Sequence, residues 1–300
     1  MNRKRRQRAQ KRAQRLRDFT SEIGDDASET PALPTIINKA KKSVYSISRL
    51  RKIGDLTHYT TLGSGFLCGP ELMMTCSHVF NNPETQEGMA HHKDGDTYYL
   101  MQKDETGIAH EALVTARIDS NLHLFPDKDM AILKLPRSFF NPSPGVTTKQ
   151  RSEYLSLRKL ALPITSDVVV LGYPIENSGI EILGNGKIDH RRIQLRGDKG
   201  SVNTRYHAVD NDWFCYEFTM SFNPGNSGGP ILDAETGAVV AIVHGYKSFP
   251  IKEIVEDFTI PKDDGSVETI KQLARIRSTY SIGIATETFE QELVQFGVLS

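Results

Sequence analysis

Cysteine is scarce in this chain: its 300 residues include three, Cys68, Cys76 and Cys215. An odd set cannot pair completely, and no CxxC spacing marks a metal or dithiol centre, so reduced thiols are the simplest reading. Cys76 reads as a small buried strand residue, with a redox-sensitive thiol as the alternative. Long apolar runs are also missing. The amino terminus has no hydrophobic leader core, and no later segment approaches the roughly 18 to 20 apolar residues that cross a bilayer as a helix. A soluble, cytoplasmic protein is the expectation. The chain has no internal repeat.

Acidic residues are absent from the first 17 positions, although the whole chain balances 37 Lys and Arg against 37 Asp and Glu. Arg3, Lys4, Arg5, Arg6, Arg8, Lys11, Arg12, Arg15 and Arg17 are nine cations, which leaves 28 basic against 37 acidic residues in the remainder. This arm has almost no apolar face and is expected to be disordered, or helical only on a partner. Residues 3–17 suit RNA, DNA or anionic lipid, bound with strong salt dependence and little sequence preference. A solubilising tail, or an arm folded back on the acidic body, fits the same charge. Asp18, Glu22, Asp25, Asp26, Glu29 and two prolines make residues 18–34 read as a linker. The expected organisation is an arm and linker over 1–34 and one folded domain over 35–300.

What the sequence does contain is a serine in a glycine-rich turn, Asn223-Pro224-Gly225-Asn226-Ser227-Gly228-Gly229-Pro230. A serine hydroxyl needs a base within reach and donors for the oxyanion formed after attack. Gly225 takes backbone angles closed to other residues and frees its N–H, with that of Ser227, to point into one small hole. A tight turn between strands would explain the same peptide taken alone.

A base and a carboxylate stand where such a serine needs them. Gly63-Ser64-Gly65-Phe66-Leu67-Cys68-Gly69 leads through Leu72-Met73-Met74-Thr75-Cys76-Ser77 to His78, a strand-turn-strand pattern that delivers an imidazole at a strand end. Asp129 opens the apolar run Met130-Ala131-Ile132-Leu133-Lys134-Leu135. Asp127 and Asp119 compete for the same role; Asp129 is preferred because it abuts the run, where a carboxylate would be buried against the imidazole. The order along the chain is His, Asp, Ser.

These residues resemble the trypsin-like (chymotrypsin-fold) serine proteases, and most closely their HtrA-type branch. The resemblance rests on Gly63-Ser64-Gly65-Phe66, Thr75-Cys76-Ser77-His78-Val79, Asp129-Met130-Ala131-Ile132-Leu133, Val168-Val169-Val170-Leu171-Gly172-Tyr173-Pro174 and Phe222-Asn223-Pro224-Gly225-Asn226-Ser227-Gly228-Gly229-Pro230. It implies an all-β fold of two antiparallel six-stranded β-barrels with the site in the cleft between them. It also implies catalysis by His78, Asp129 and Ser227, an oxyanion hole from the Gly225 and Ser227 N–H groups, and no metal or organic cofactor. Ser221 and Phe222 would then sit at the base of the primary pocket, and His244, Gly245 and Tyr246 on its wall.

Departures from the family pattern carry expectations about control. Val79 stands where disulfide-stapled relatives have a cysteine, and Asn226 where zymogen-activated ones have an acid, so an ion-pair activation switch is not expected. The carboxy-terminal peptide-binding module of HtrA-type enzymes is not expected in the stretch after Ser227. No acid lies between Phe218 and Ser227, which disfavours a Lys or Arg substrate residue; a small or medium apolar one is expected, with an acidic one the alternative if His244 is protonated.

Strands are expected at Glu111–Ile118, Asp167–Leu171 and Ala238–Val243, and a hairpin turn at Asp233–Gly237. Thr286 is expected to cap a closing amphipathic helix through Phe289, Leu293 and Phe296, with Glu287 and Glu290 in its first turn. The insertion Lys247–Arg277 reads as too long for a simple hairpin, and as a regulatory loop or partner site. The functional expectation is an intracellular serine endopeptidase acting on protein or peptide, with a regulatory protein or nucleic acid as a further partner. A silent scaffold on the same fold is the alternative.

Overall fold

A computed structural model describes residues 32–53, 56–81, 92–93, 95–103, 109–139, 153–174, 194–261 and 267–299. The basic arm lies outside these residues. Helix α1 (Leu33–Ala40) leads into the first lobe, with Ile36 and Ala40 buried. Seven strands follow: β1 (Val44–Ile53), β2 (Leu56–Gly69), β3 (Leu72–Thr75), β4 (Thr97–Lys103), β5 (Ala109–Thr115), β6 (Leu122–Phe125) and β7 (Met130–Lys134). They form one antiparallel sheet in the order β5-β4-β1-β2-β3-β7-β6. All four residues of β3 are buried, as a short strand covered on both faces requires. Phe66, Leu67, Met73, Met74, Ile132 and Leu133 are fully enclosed and form the middle of this lobe's core.

The second lobe contains β8 (Asp167–Gly172), β9 (Arg196–Ala208), β10 (Trp213–Phe218), β11 (Pro230–Asp233), β12 (Val239–Pro261) and β13 (Val267–Ala285). They close into a barrel in the order β10-β13-β12-β11-β8-β9, which leaves no unpaired sheet edge there. Val168, Val170, Val202, Phe218, Ile231 and Val243 pack inside it. The architecture is the all-β, two-lobed one expected. It differs in detail: the first lobe is a seven-stranded sheet that ends at β5 and β6 among the described residues, in place of a closed six-stranded barrel.

Two local expectations need correction. The insertion after Tyr246 is a hairpin after all: β12 and β13 continue past the barrel and stay paired as far as Pro261 and Val267. The two-stranded ladder runs on through a second register shift between Pro250 and Lys252, a pairing that loop length alone does not reveal. Thr286 is not a helix cap. It is buried at the start of a tight 3-10 turn (Thr286–Phe289), and its hydroxyl donates to the carbonyls of Arg158 and Val240, which tie the turn to the barrel. Helix α2 (Glu290–Gln295) follows without a side-chain cap, buries Leu293, and is linked to the first lobe by Lys128 Nζ and Glu292 at 2.8 Å. The hairpin turn at Asp233–Gly237 forms as expected, with Gly237 N donating to Asp233 O at 2.8 Å.

Candidate active site

Three connections converge between the lobes. The first leaves β3 at Thr75, passes through extended Cys76, and coils into a 3-10 turn, Ser77–Val79, that carries His78. The second joins β6 to β7 by the turn Pro126–Lys128 and ends on Asp129, whose backbone is left-handed at φ 48°. Aspartate tolerates that conformation better than most residues, and it lets the chain enter β7 while the side chain points back at the 3-10 turn. The third is the glycine turn between β10 and β11, which carries Ser227.

Asp129 is 5% exposed, and its carboxylate accepts four hydrogen bonds. Oδ1 takes Ser77 Oγ at 3.0 Å and the His78 N–H at 3.0 Å. Oδ2 takes His78 Nδ1 at 2.8 Å and His244 Nδ1 at 2.7 Å. Burial alone works against the charge, but the hydrogen bonds from His244 and His78 outweigh it and hold the carboxyl well below the usual carboxylate range. An ionised carboxylate is acceptor-only, so it selects the Nδ1–H tautomer of His78 and leaves Nε2 as the proton-accepting position.

Around Ser227 the backbone is held by Ser64. The buried Ser64 hydroxyl donates to Gly225 O at 2.7 Å and accepts the Tyr173 N–H at 2.8 Å, while Ser64 N donates to Ser227 O at 2.8 Å. Gly225 is left-handed at φ 94° and Gly228 at φ 80°. At Gly228 a Cβ would also fall 2.0 Å from Thr75 Oγ1 and 2.4 Å from Ser64 O, so the turn closes only with glycine. Neither the Gly225 nor the Ser227 N–H has an acceptor among the described residues, whereas Asn226, Gly228 and Gly229 all donate to backbone carbonyls. Ser227 Oγ and His78 Nε2 are not hydrogen bonded to each other in this structure.

A sequence profile of the trypsin-like peptidase domain matches residues 63–242, a span that holds His78, Asp129 and Ser227. The chain belongs to the trypsin-like peptidase family. Among curated proteins, the cercarial protease of Schistosoma mansoni is 27% identical over 114 residues, which are 34% of this chain and 41% of that protease, so the match spans less than half of its length. Among solved structures, an inactive serine-to-alanine form of Rv3671c from M. tuberculosis H37Rv superposes with a TM-score of 0.46 at 16% identity, covering 92% of this chain and 95% of that one.

Within this peptidase fold, the residues expected to form the specificity pocket go to different surroundings. Ser221 and Tyr246 are exposed, and a Cβ on Gly245 would meet nothing within 4 Å. Phe222 is buried in the second core, its ring centroid 5.9 Å from that of Phe218 and its N–H on Ser281 Oγ. His244, expected on the pocket wall, has its imidazole on Asp129. Sequence reasoning assigned no role to the hydroxyls of Ser64 and Ser77 or to Trp213. Ser64 lies in the quoted Gly63-Ser64-Gly65 motif, a usable signal; Trp213 had none.

Cys76 Sγ, His78 and Asp129 place one donor atom each within 4.8 Å of one another. Hydrogen bonds occupy these atoms: the thiol donates to Val243 O at 3.1 Å, and His78 Nδ1 to Asp129. Burial, and then the neighbouring Asp129 charge, push the Cys76 thiol well above its ordinary value, so it stays a neutral packing residue. A separate cavity of about 520 Å³, lined by Leu33, Arg158, Leu162, Asp167, Lys199 and Asp233 among others, touches none of these groups.

Proposed function

We propose that the protein is a serine endopeptidase working through an acyl-enzyme. Ser227 Oγ attacks the scissile carbonyl, His78 Nε2 takes its proton, and Asp129 stabilises the imidazolium that results. Collapse of the tetrahedral intermediate breaks the C–N bond, and His78 returns the proton to the leaving amine. Water then repeats the sequence on the ester. The observation that carries this reading is the 2.8 Å hydrogen bond from His78 Nδ1 to a buried, multiply bonded Asp129. The uncommitted N–H groups of Gly225 and Ser227 support an oxyanion hole, worth roughly 3 to 4 kcal/mol per well-placed donor. The contact between Ser227 and His78 tightens on substrate binding, as is common where the resting geometry is loose.

The lack of an acid between Phe218 and Ser227 supports preference for a small or medium apolar residue before the scissile bond. Three buried cysteines that form no disulfide support a reducing, cytoplasmic setting. Residues 3–17 are proposed to bind a polyanion such as RNA or DNA and so to couple activity to nucleic acid.

The test is labelling of the full chain by a fluorophosphonate probe, native against Ser227→Ala, with and without single-stranded RNA. Labelling that requires Ser227 is the expected outcome, and Ser227→Ala should lower turnover by about six orders of magnitude. Absence of labelling under every condition would replace this reading with a non-catalytic scaffold.

A further inference from the structure

We infer that His244 is a positioning residue of this site, a second imidazole that holds Asp129 in place. The inference rests on the serine endopeptidase reading and extends it to a residue outside the His78, Asp129, Ser227 set. The backbone supplies the first reason. In the β12–β13 ladder Val243 pairs with Gly283 and Gly245 with Ile282, so His244 is the extra, unpaired residue of a β-bulge. A bulge breaks the strict alternation of a strand and re-aims one side chain. Here the re-aimed side chain reaches into the first lobe, with Nδ1 2.7 Å from Asp129 Oδ2.

The chemistry of the pair is constrained. A carboxylate only accepts, so both His78 and His244 present Nδ1–H to the same oxygen. The His244 ring is held edge-on by two neighbours, Trp213 at 5.3 Å and His78 at 5.7 Å between ring centroids. The residue before it, Val243, accepts the Cys76 thiol. Asp129 is thus fixed from both lobes: by Ser77 and His78 on the first, by His244 on the second. A carboxylate pinned this way has little freedom to rotate, and the His78 ring it orients inherits that restraint.

Steady-state kinetics separate positioning from substrate contact. His244→Ala should lower kcat roughly tenfold or more, the weight of one hydrogen bond to a charged group, and leave KM unchanged. His244→Asn, which keeps a side-chain N–H donor, should recover part of that loss. A rise in KM at constant kcat would overturn the inference and return His244 to the substrate pocket. A second measurement needs no turnover. In the full-length Ser227→Ala protein with histidine ring nitrogens labelled, two Nδ1–H protons should resonate downfield of the amides, one lost in His244→Ala and the other in His78→Ala. A single such signal, insensitive to His244→Ala, would overturn the positioning role even if the protein proves not to be a peptidase.

Discussion

Trp213 Nε1 donates to the carbonyl oxygen of Asp127 at 2.7 Å, tying the first residue of β10 to the turn that presents Asp129 two residues later. The same indole meets the His244 ring edge-on at 5.3 Å. One side chain of the second lobe therefore braces both the turn that carries the carboxylate and the imidazole that grips it.

Trp213→Phe keeps an aromatic ring and removes the donor. The expected cost is about 1 kcal/mol of unfolding free energy, since the Asp127 carbonyl loses its partner near the surface. Urea denaturation measures it, and fluorophosphonate labelling of Ser227 should slow in parallel because the Asp129 turn is less restrained.

Ser64→Ala removes the hydroxyl that joins Gly225 O to Tyr173 N. Both groups lose a buried hydrogen bond, which should destabilise the protein by roughly 1 to 3 kcal/mol. The labelling rate should fall by more than in a neutral surface variant, because the turn bearing Ser227 loses its anchor. An unchanged urea midpoint would contradict this reading of Ser64.

Gly228→Ala combines a left-handed backbone with a Cβ that collides with Thr75 Oγ1 and with the backbone oxygen of Ser64. The backbone cannot yield, so the loss should reach roughly 3 kcal/mol or more. The readout is a lowered thermal midpoint, or loss of folded protein from the soluble fraction.

Asp129 predicts a direction for acid sensitivity. Its carboxyl is held below the usual range when folded, so its stabilisation is fully present above the unfolded value of about 3.9 and is lost as pH falls through the folded value. Asp129→Asn removes this contribution. The stability gap between native protein and Asp129→Asn, measured in urea, should therefore be widest near neutrality and narrow steadily below about pH 4. A gap that does not vary with pH would show that the carboxyl is not depressed.

Much of the site's scaffolding is legible locally. The glycine spacing around Ser227 announces a turn that only glycine can make, and the structure places two of its glycines at positive φ. The apolar runs before His78 and after Asp129 announce strands β3 and β7, with each polar residue at a strand end. What was illegible depends on register or on distant partners. Thr286 looks like a cap because capping is a local pattern, yet its hydroxyl is claimed by carbonyls of Arg158 and Val240, far away in the chain. The long hairpin after Tyr246 looked like a loop because length, not pairing, was the visible signal.

The sequence by itself determined the family, the two-lobed β fold and the segments bearing His78, Asp129 and Ser227, because turn chemistry and strand periodicity are short-range properties of the chain. Only the tertiary structure decided that His244 and Trp213 serve Asp129. A bulge shifts the strand register by one residue and sends the imidazole across to another lobe, and no local pattern in Val243-His244-Gly245 specifies where that side chain will land.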